Sequence, residues 1–257
     1  MGIKIAVISD IHGHAEGLRC ALKEIQAAGV DITVCLGDLL TYGLQPNEVI
    51  ELLLNYQAQH RLEMIRGNHD QFYFDWQAGR SSLYEMADFV KESIEWTARA
   101  LRYVPLAEVF EWRDAWCFES ILFAHANPFA YGDWRYLDQP PLQQAAFEVL
   151  AQQQMQLGVF GHSHRQGLWL RQGEADTKHG LTWRLARAAE ACALLNPGSV
   201  GQPRGCGFCY ALLELDSAGI SIELKPLAVD IKPMLAALRA SDLSAPTQQK
   251  LMAYLRS

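Results

Sequence analysis

Side chains able to hold a metal ion recur along this sequence, each time at the end of a short apolar run. The run Ile3–Ser9 ends in Asp10-Ile11-His12, and the run Ile32–Leu36 ends in Gly37-Asp38. Leu62–Arg66 is followed by Gly67-Asn68-His69-Asp70, Ile121–Ala124 by His125, and Gly158–Phe160 by Gly161-His162-Ser163-His164. Of the eight histidines, only His14, His60 and His179 fall outside these segments. Carboxylate, imidazole and carboxamide donors without thiolate suit Mn, Fe, Co, Ni or Zn in a mixed nitrogen–oxygen site. Asp10 and His12 alternate along what reads as an extended backbone, which would put both on one side, and His162 and His164 repeat the pattern. Two neighbouring ions would need a shared ligand. Asp38, a lone carboxylate after a glycine, is the natural one.

Taken singly these signals are weak. A strand-end Asp more often caps a helix, a lone His125 would more often be a satisfied core histidine, and Gly-Asn-His-Asp suits a turn. Five such segments in order, each after an apolar run, are hard to obtain from folding requirements alone.

The elements that must position these residues follow from periodicity. Residues 3–9, 32–37 and 62–67 read as buried strands, separated by helices over about 15–28, stopped by Gly29, and from Pro46, which fits a first helical turn. This β-α-β-α-β order predicts a parallel sheet with right-handed crossovers, and ligands then collect at the carboxyl ends of its strands. A long amphipathic helix is expected over about 81–104, with Ser81 and Ser82 as caps and Pro105 past its end. Strands near 121 and 158 flank a Gln-rich helix at about 142–154. The second half turns β-rich, with strands at 167–171, 181–185, 193–195, 208–215 and 220–227, before helices at 231–239 and 247–255. The expected fold is α/β: two mixed sheets packed face to face between helices, as one domain spanning 1–257 with C-terminal helices at about 231–257.

Composition narrows the function. At 257 residues, half hydrophobic and a fifth charged, the chain has an ordinary globular make-up. Its net charge of −7 argues against coating long nucleic acid, which needs Lys and Arg on phosphates. No apolar run is long enough to cross a membrane, and the N-terminus lacks a signal peptide's pattern. A cytoplasmic protein is expected. Cys20, Cys35, Cys117 and Cys192 sit singly in apolar surroundings. Cys206-Gly-Phe-Cys209 has no second ligand pair and runs into a strand, so two structural thiols are favoured over a redox or metal pair.

With these residues in view, the series Asp10-Ile-His12, Gly37-Asp38, Gly67-Asn-His-Asp70, His125 and Gly161-His-Ser-His164 resembles the motif set of the calcineurin-like metallophosphoesterases. Asn196-Pro-Gly-Ser-Val-Gly-Gln-Pro-Arg204 resembles their small bacterial and archaeal phosphodiesterase branch. The resemblance implies a four-layer αββα sandwich and two divalent transition-metal ions, with Mn favoured over Fe, Zn, Ni or Co. One ion would be held by Asp10, His12, Asp38 and His164. The other would be held by Asp38, Asn68, His125 and His162. It further implies phosphodiester hydrolysis by a metal-bridging hydroxide, with His69 as proton donor to the leaving group and Asp70 orienting His69 through its other ring nitrogen. The substrate would be a small phosphate ester, such as a nucleotide.

Two departures from the family pattern stand out. His14 replaces an Asn common in the family; it reads as an exposed helix-start residue or as a substrate contact. Gly205-Cys-Gly-Phe-Cys209 follows Arg204 where charged residues are more usual, and Arg204 is a candidate phosphate contact. Ser163 and Ser199 lie outside any nucleophile elbow, so a covalent route is disfavoured. The aromatic segments 71–84 and 127–136 would stack a base or aryl group, or pack a lid or dimer surface. The C-terminal helices either cap the domain or swap into a second copy. Competing readings are a phosphomonoesterase or nucleotide phosphatase with the same site, a non-catalytic protein-interaction scaffold, and a redox protein using Cys206 and Cys209.

Overall fold

A computed structural model of the chain describes residues 2–80, 86–102, 105–171, 182–186, 192–205 and 207–256. The first half alternates as its periodicity predicts: β1 (Ile3–Ile8), α1 (Ala15–Ala28), β2 (Ile32–Cys35), α2 (Pro46–Gln57) and β3 (Leu62–Ile65). Gly29 ends α1 with φ 61°, a conformation that suits glycine. Three short elements were not expected: α3 (Asn68–Gln77), β4 (Trp112–Arg113) and β5 (Ala115–Phe118). The long helix is shorter than its amphipathic pattern predicts. It is α4 (Asp88–Ala100), capped at Ala87, while Ser81, Ser82 and Val104 lie outside the described residues. β6 (Ile121–Ala124), α5 (Pro140–Gln152), β7 (Leu157–Phe160), β8 (Gly167–Leu170), β9 (Thr182–Ala186), β10 (Ala193–Asn196), β11 (Cys209–Asp216), β12 (Gly219–Pro226), α6 (Lys232–Ala240) and α7 (Ala245–Leu255) follow.

Two mixed sheets result. One runs β4-β3-β2-β1-β11-β12-β9 and the other β5-β6-β7-β10-β8. β1, β2, β3 and β4 pair in parallel, and β11 joins β1 antiparallel. In the second sheet β6, β7 and β10 are parallel. Ile5, Val7, Val34 and Leu213 of the first sheet meet Phe123, Val159 and Leu195 of the second in one buried cluster. On the other side of the first sheet Ile8, Leu18, Leu53, Tyr73, Ile94, Leu238 and Leu251 form a second cluster, which binds α1 to α4 and both C-terminal helices to it. Phe147 and Leu150 of α5 cover the second sheet. The strands are apolar on both faces because helices cover one face and the partner sheet the other, each such side chain contributing about 1.5–3 kcal/mol. The layer order is therefore αββα. No helix among the described residues is long and apolar enough to cross a membrane.

Candidate metal centre

The carboxyl ends of β1, β2, β3, β6 and β7 meet at one edge of the two sheets, and the chemistry-bearing side chains meet with them. Asp10, His12, Asp38 and His164 offer ligand atoms within 4.8 Å of one another, and Asp38, His125 and His162 do the same. All are buried. Asp38 belongs to both groups through one oxygen. Its Oδ2 lies 3.6 Å from His12 Nε2 and 3.4 Å from His125 Nε2, while Oδ1 accepts the His69 backbone N–H at 2.8 Å. Asn68 Oδ1 is 3.0 Å from His125 Nε2, so the carboxamide faces the second group.

Carbonyl partners set which ring nitrogen faces inward. His12 Nδ1 is 3.0 Å from Leu40 O, His125 Nδ1 2.7 Å from Leu36 O, and His164 Nδ1 2.7 Å from Gln202 O. A carbonyl only accepts, so each Nδ1 carries the proton and each Nε2 turns its face to the centre. His162 is the reverse: Nε2 donates to Trp134 O at 2.9 Å, leaving Nδ1 for the centre. His12 Nε2 and His164 Nε2 then stand 3.2 Å apart, lone pair toward lone pair, and Asp10 Oδ1 is buried without a hydrogen-bond partner. Such a set repels itself unless a cation sits among it. Nitrogen and oxygen donors without thiolate fit a divalent ion.

The ionisation pattern tells the same story. Burial pulls the His125 pKa down, but the Asp38 carboxylate outweighs it and raises the ring to about 9. Burial likewise works against Asp38, yet His125 and His69 hold it well below the usual carboxylate range. Without an ion, a proton on His125 thus supplies the positive charge beside Asp38. Burial drives His12 and His164 well below the ordinary imidazole value and lowers His162 to about 3 and His69 to about 4. Neutral imidazoles are the form that ligates metal. Asp10 is raised to about 7, chiefly by burial.

The backbone reason for this convergence differs from the expected one. Asp10 and His12 are not alternate positions of an extended strand. Asp10, His12, Asp38, His162 and His164 all have φ between 49° and 63°. This left-handed region is costly for residues other than glycine, and such outliers gather at functional sites. The turns are braced from outside: Asp10 N–H donates to Gly37 O (3.1 Å), His12 N–H to Asp38 O (2.9 Å), and Ser199 Oγ to Asp10 O (2.7 Å). Asn196 Nδ2 donates to Gly161 O at 2.6 Å. The Asn196–Ser199 turn, with Gly198 at φ 79°, thus supports the ligand loops through the Asn196 and Ser199 side chains, joined by the Val200 N–H, which donates to Ser9 O at 3.1 Å.

Two further expectations are corrected. Asp70 does not reach the His69 ring. It is the third residue of α3, and its carboxylate folds back to accept N–H bonds from Gly67 (2.9 Å), Asp38 (2.7 Å) and Leu39 (2.9 Å). It clamps the Asp38 loop. His14, expected to be exposed, is 3% exposed at the N-cap of α1 and makes no capping bond with its side chain. Tyr42 was not singled out in the sequence. Its hydroxyl lies 3.3 Å from His69 Nε2 and its ring 4.7 Å from that of His12. The only cue was an aromatic in the loop four residues after Asp38. The aromatic segments divide: Tyr73 and Phe74 are core, Trp76 is 40% exposed, and Tyr136 stacks on His162 with ring centres 4.5 Å apart. The Cys209 thiol faces Pro197 O, and Cys206 lies outside the described residues.

Residues 3–184 match the family described as calcineurin-like phosphoesterase, and the chain belongs to that family. Its members are hydrolases of phosphoesters, in keeping with the His/Asp metal-binding cluster. A relative 30% identical over 240 residues, covering 89% of this chain and 88% of its own, is an uncharacterized protein of Methanocaldococcus jannaschii. A metallophosphoesterase of Sphaerobacter thermophilus superposes with a TM-score of 0.77 at 23% identity, covering 98% of this chain and 99% of its own. A hypothetical protein of Pyrococcus horikoshii does so with a TM-score of 0.74 at 17% identity, over 97% of both chains. At these identities the two structures speak for the shared fold.

Proposed function

We propose that this chain is a phosphodiesterase working at a dinuclear centre, with one ion held by Asp10, His12, Asp38 and His164 and the other by Asp38, Asn68, His125 and His162. The observation that carries the reading is the single oxygen, Asp38 Oδ2, lying between His12 and His125. Divalent ions, manganese first among those the donor set suits, supply when bound the positive charge that holds phosphoryl oxygens and lowers the pKa of water. The residues of the chain do the rest. Carbonyls fix the ring orientations, and Asp70 and Ser199 hold the Asp38 and Asp10 turns. His69 protonates the departing oxygen from Nε2, the nitrogen facing the Tyr42 hydroxyl, since its Nδ1 is buried without a partner. With a pKa near 4 the ring is neutral at rest. An anionic ester beside it favours the protonated form. Ser199 is fully buried and already bonded, which supports direct attack by water rather than a phosphoenzyme. The reading takes the chain as one domain. Cys20, Cys35, Cys117 and Cys192, all free thiols, support a cytoplasmic setting.

The test is hydrolysis of bis(p-nitrophenyl) phosphate beside p-nitrophenyl phosphate by metal-stripped protein reloaded with Mn²⁺. Diester cleavage that needs metal and is lost in Asn68→Ala and His69→Ala is the expected result. Cleavage of the monoester alone would replace the diesterase reading with a monoesterase. No turnover of either ester would leave a scaffold.

A further inference from the structure

One cation beside the centre has no role in it. Arg204 is anchored by its backbone, its N–H donating to His164 O at 3.2 Å and its carbonyl accepting from Arg165 at 3.1 Å. Its guanidinium lies over the ring of Tyr254 on α7, 5.4 Å from the ring centre. The Nε is buried and has no hydrogen-bond partner among the described residues. A buried charged donor without an acceptor is costly. Lys250, exposed one turn earlier on α7, places its Nζ 5.1 Å from the same ring and 6.0 Å from Phe89. Two cations drawn to one ring raise the local positive potential, and an anion that meets either head group offsets it.

The platform is linked to the metal centre by aromatic contacts. Tyr42, which touches His12 and His69, stacks on Phe89 at 6.1 Å, and Phe89 meets Tyr254 at 6.2 Å. This aromatic arc runs from the Asp38 loop across α4 to α7. Arg204 is tied to the centre directly, since its N–H donates to the carbonyl of His164. α7 is held firmly: Ser244 Oγ donates to Glu92 at 2.6 Å, Trp96 Nε1 donates to Asp242 at 2.6 Å, and Leu251 and Leu255 are buried.

We propose that Arg204 and Lys250, seated on Tyr254, form an anion subsite that binds a second, non-reacting phosphate of the substrate. Resting on the phosphoesterase reading, this narrows the substrate to phosphoesters that carry at least two phosphate groups. The reacting phosphoryl is served by the buried ligand cluster. The cation pair sits on a half-buried ring linked to that cluster through Phe89 and Tyr42, with Lys250 in solvent.

The experiment compares two esters differing only in that phosphate: thymidine 5′-(p-nitrophenyl phosphate) and its 3′-phosphorylated form. On Mn²⁺-loaded protein, Arg204→Gln is expected to lower the kcat/KM ratio of the second to the first by about tenfold or more, through KM. Lys250→Gln, a surface change that leaves the fold intact, is expected to lower it about threefold. Calorimetric binding of thymidine 3′,5′-bisphosphate against thymidine 5′-monophosphate reads the same subsite without turnover. If wild-type protein cleaves neither ester, the phosphodiesterase reading fails while the binding comparison still decides the subsite. An unchanged bisphosphate preference in both variants overturns the proposal, as does an equal loss on both esters.

Discussion

Replacing Ser199 by alanine tests whether the ligand geometry is held from outside the centre. Ser199 is fully buried, and its hydroxyl donates to Asp10 O at 2.7 Å while accepting N–H bonds from Gln202 at 2.7 Å and Gly201 at 3.2 Å. Alanine keeps the volume nearly unchanged but leaves one buried carbonyl and two buried N–H groups without this partner. Unsatisfied buried groups cost about 1–3 kcal/mol each, and neighbours relax in part, so a total of roughly 2–5 kcal/mol is expected. For a chain of this size that is a Tm fall of about 4–10 °C at near 2 °C per kcal/mol. The same change frees Asp10 from its left-handed turn, and Mn²⁺ affinity should drop about tenfold. Thermal unfolding of metal-free protein and titration calorimetry with Mn²⁺ read the two effects separately. Ser163→Ala is the control, because Ser163 is less buried and its Oγ accepts only the longer bonds from Asn196 (3.0 Å) and Arg165 (3.2 Å). A Ser199→Ala protein with wild-type Tm and wild-type Mn²⁺ affinity would refute the bracing role.

Further expectations follow from the same geometry. Asp70→Asn should weaken Mn²⁺ binding about 10–100-fold, because Asp70 clamps the Asp38 loop; the dependence of rate on aryl leaving-group pKa should stay as in wild type. A changed leaving-group dependence with intact affinity would instead restore a role through His69. Gly161→Ala would place a Cβ 1.9 Å from Ser9 Oγ and 2.9 Å from Asp10 Oδ2, so metal binding measured by calorimetry should be lost. The stability of the metal-free chain should be bell-shaped in pH. His69, His162 and His14, lowered to about 4, 3 and 3, contribute stability present above pH 6.5 and lost as pH falls through those values. His125, raised to about 9, contributes stability present below pH 6.5 and lost as pH rises through 9. Asp10 and Asp70, both raised to about 7, act against the histidines between pH 3.8 and 7 and offset part of the acid limb. Denaturant midpoints across pH 4–9 read the profile, and a flat profile would contradict the burial of these rings. Mn²⁺ at about a hundred times its Kd should add about 2.7 kcal/mol. It should also remove the alkaline limb by displacing the His125 proton.

The sequence by itself determined the alternation of β1, α1, β2, α2 and β3, and with it the sheet edge where Asp10, Asp38 and Asn68 collect. Apolar runs of the right length have few other ways to be buried. It also determined which residue types gather there, because imidazole and carboxylate after β1, β2, β3, β6 and β7 serve no packing purpose. It did not show α3, whose polar first turn, Asn68-His-Asp70, reads as a loop until Asp70 is seen closing onto Gly67 N–H. Nor did it show that the ligands sit in left-handed turns, or that His162 faces inward with the nitrogen opposite to that of His164. Those features depend on carbonyls of Leu36, Leu40, Trp134 and Gln202, each distant in the chain from the ring it orients. Periodicity is a local property and reports which face is buried. Ring orientation, strain and the seat of Arg204 on Tyr254 are set by contacts across the fold, and only the tertiary structure decided them.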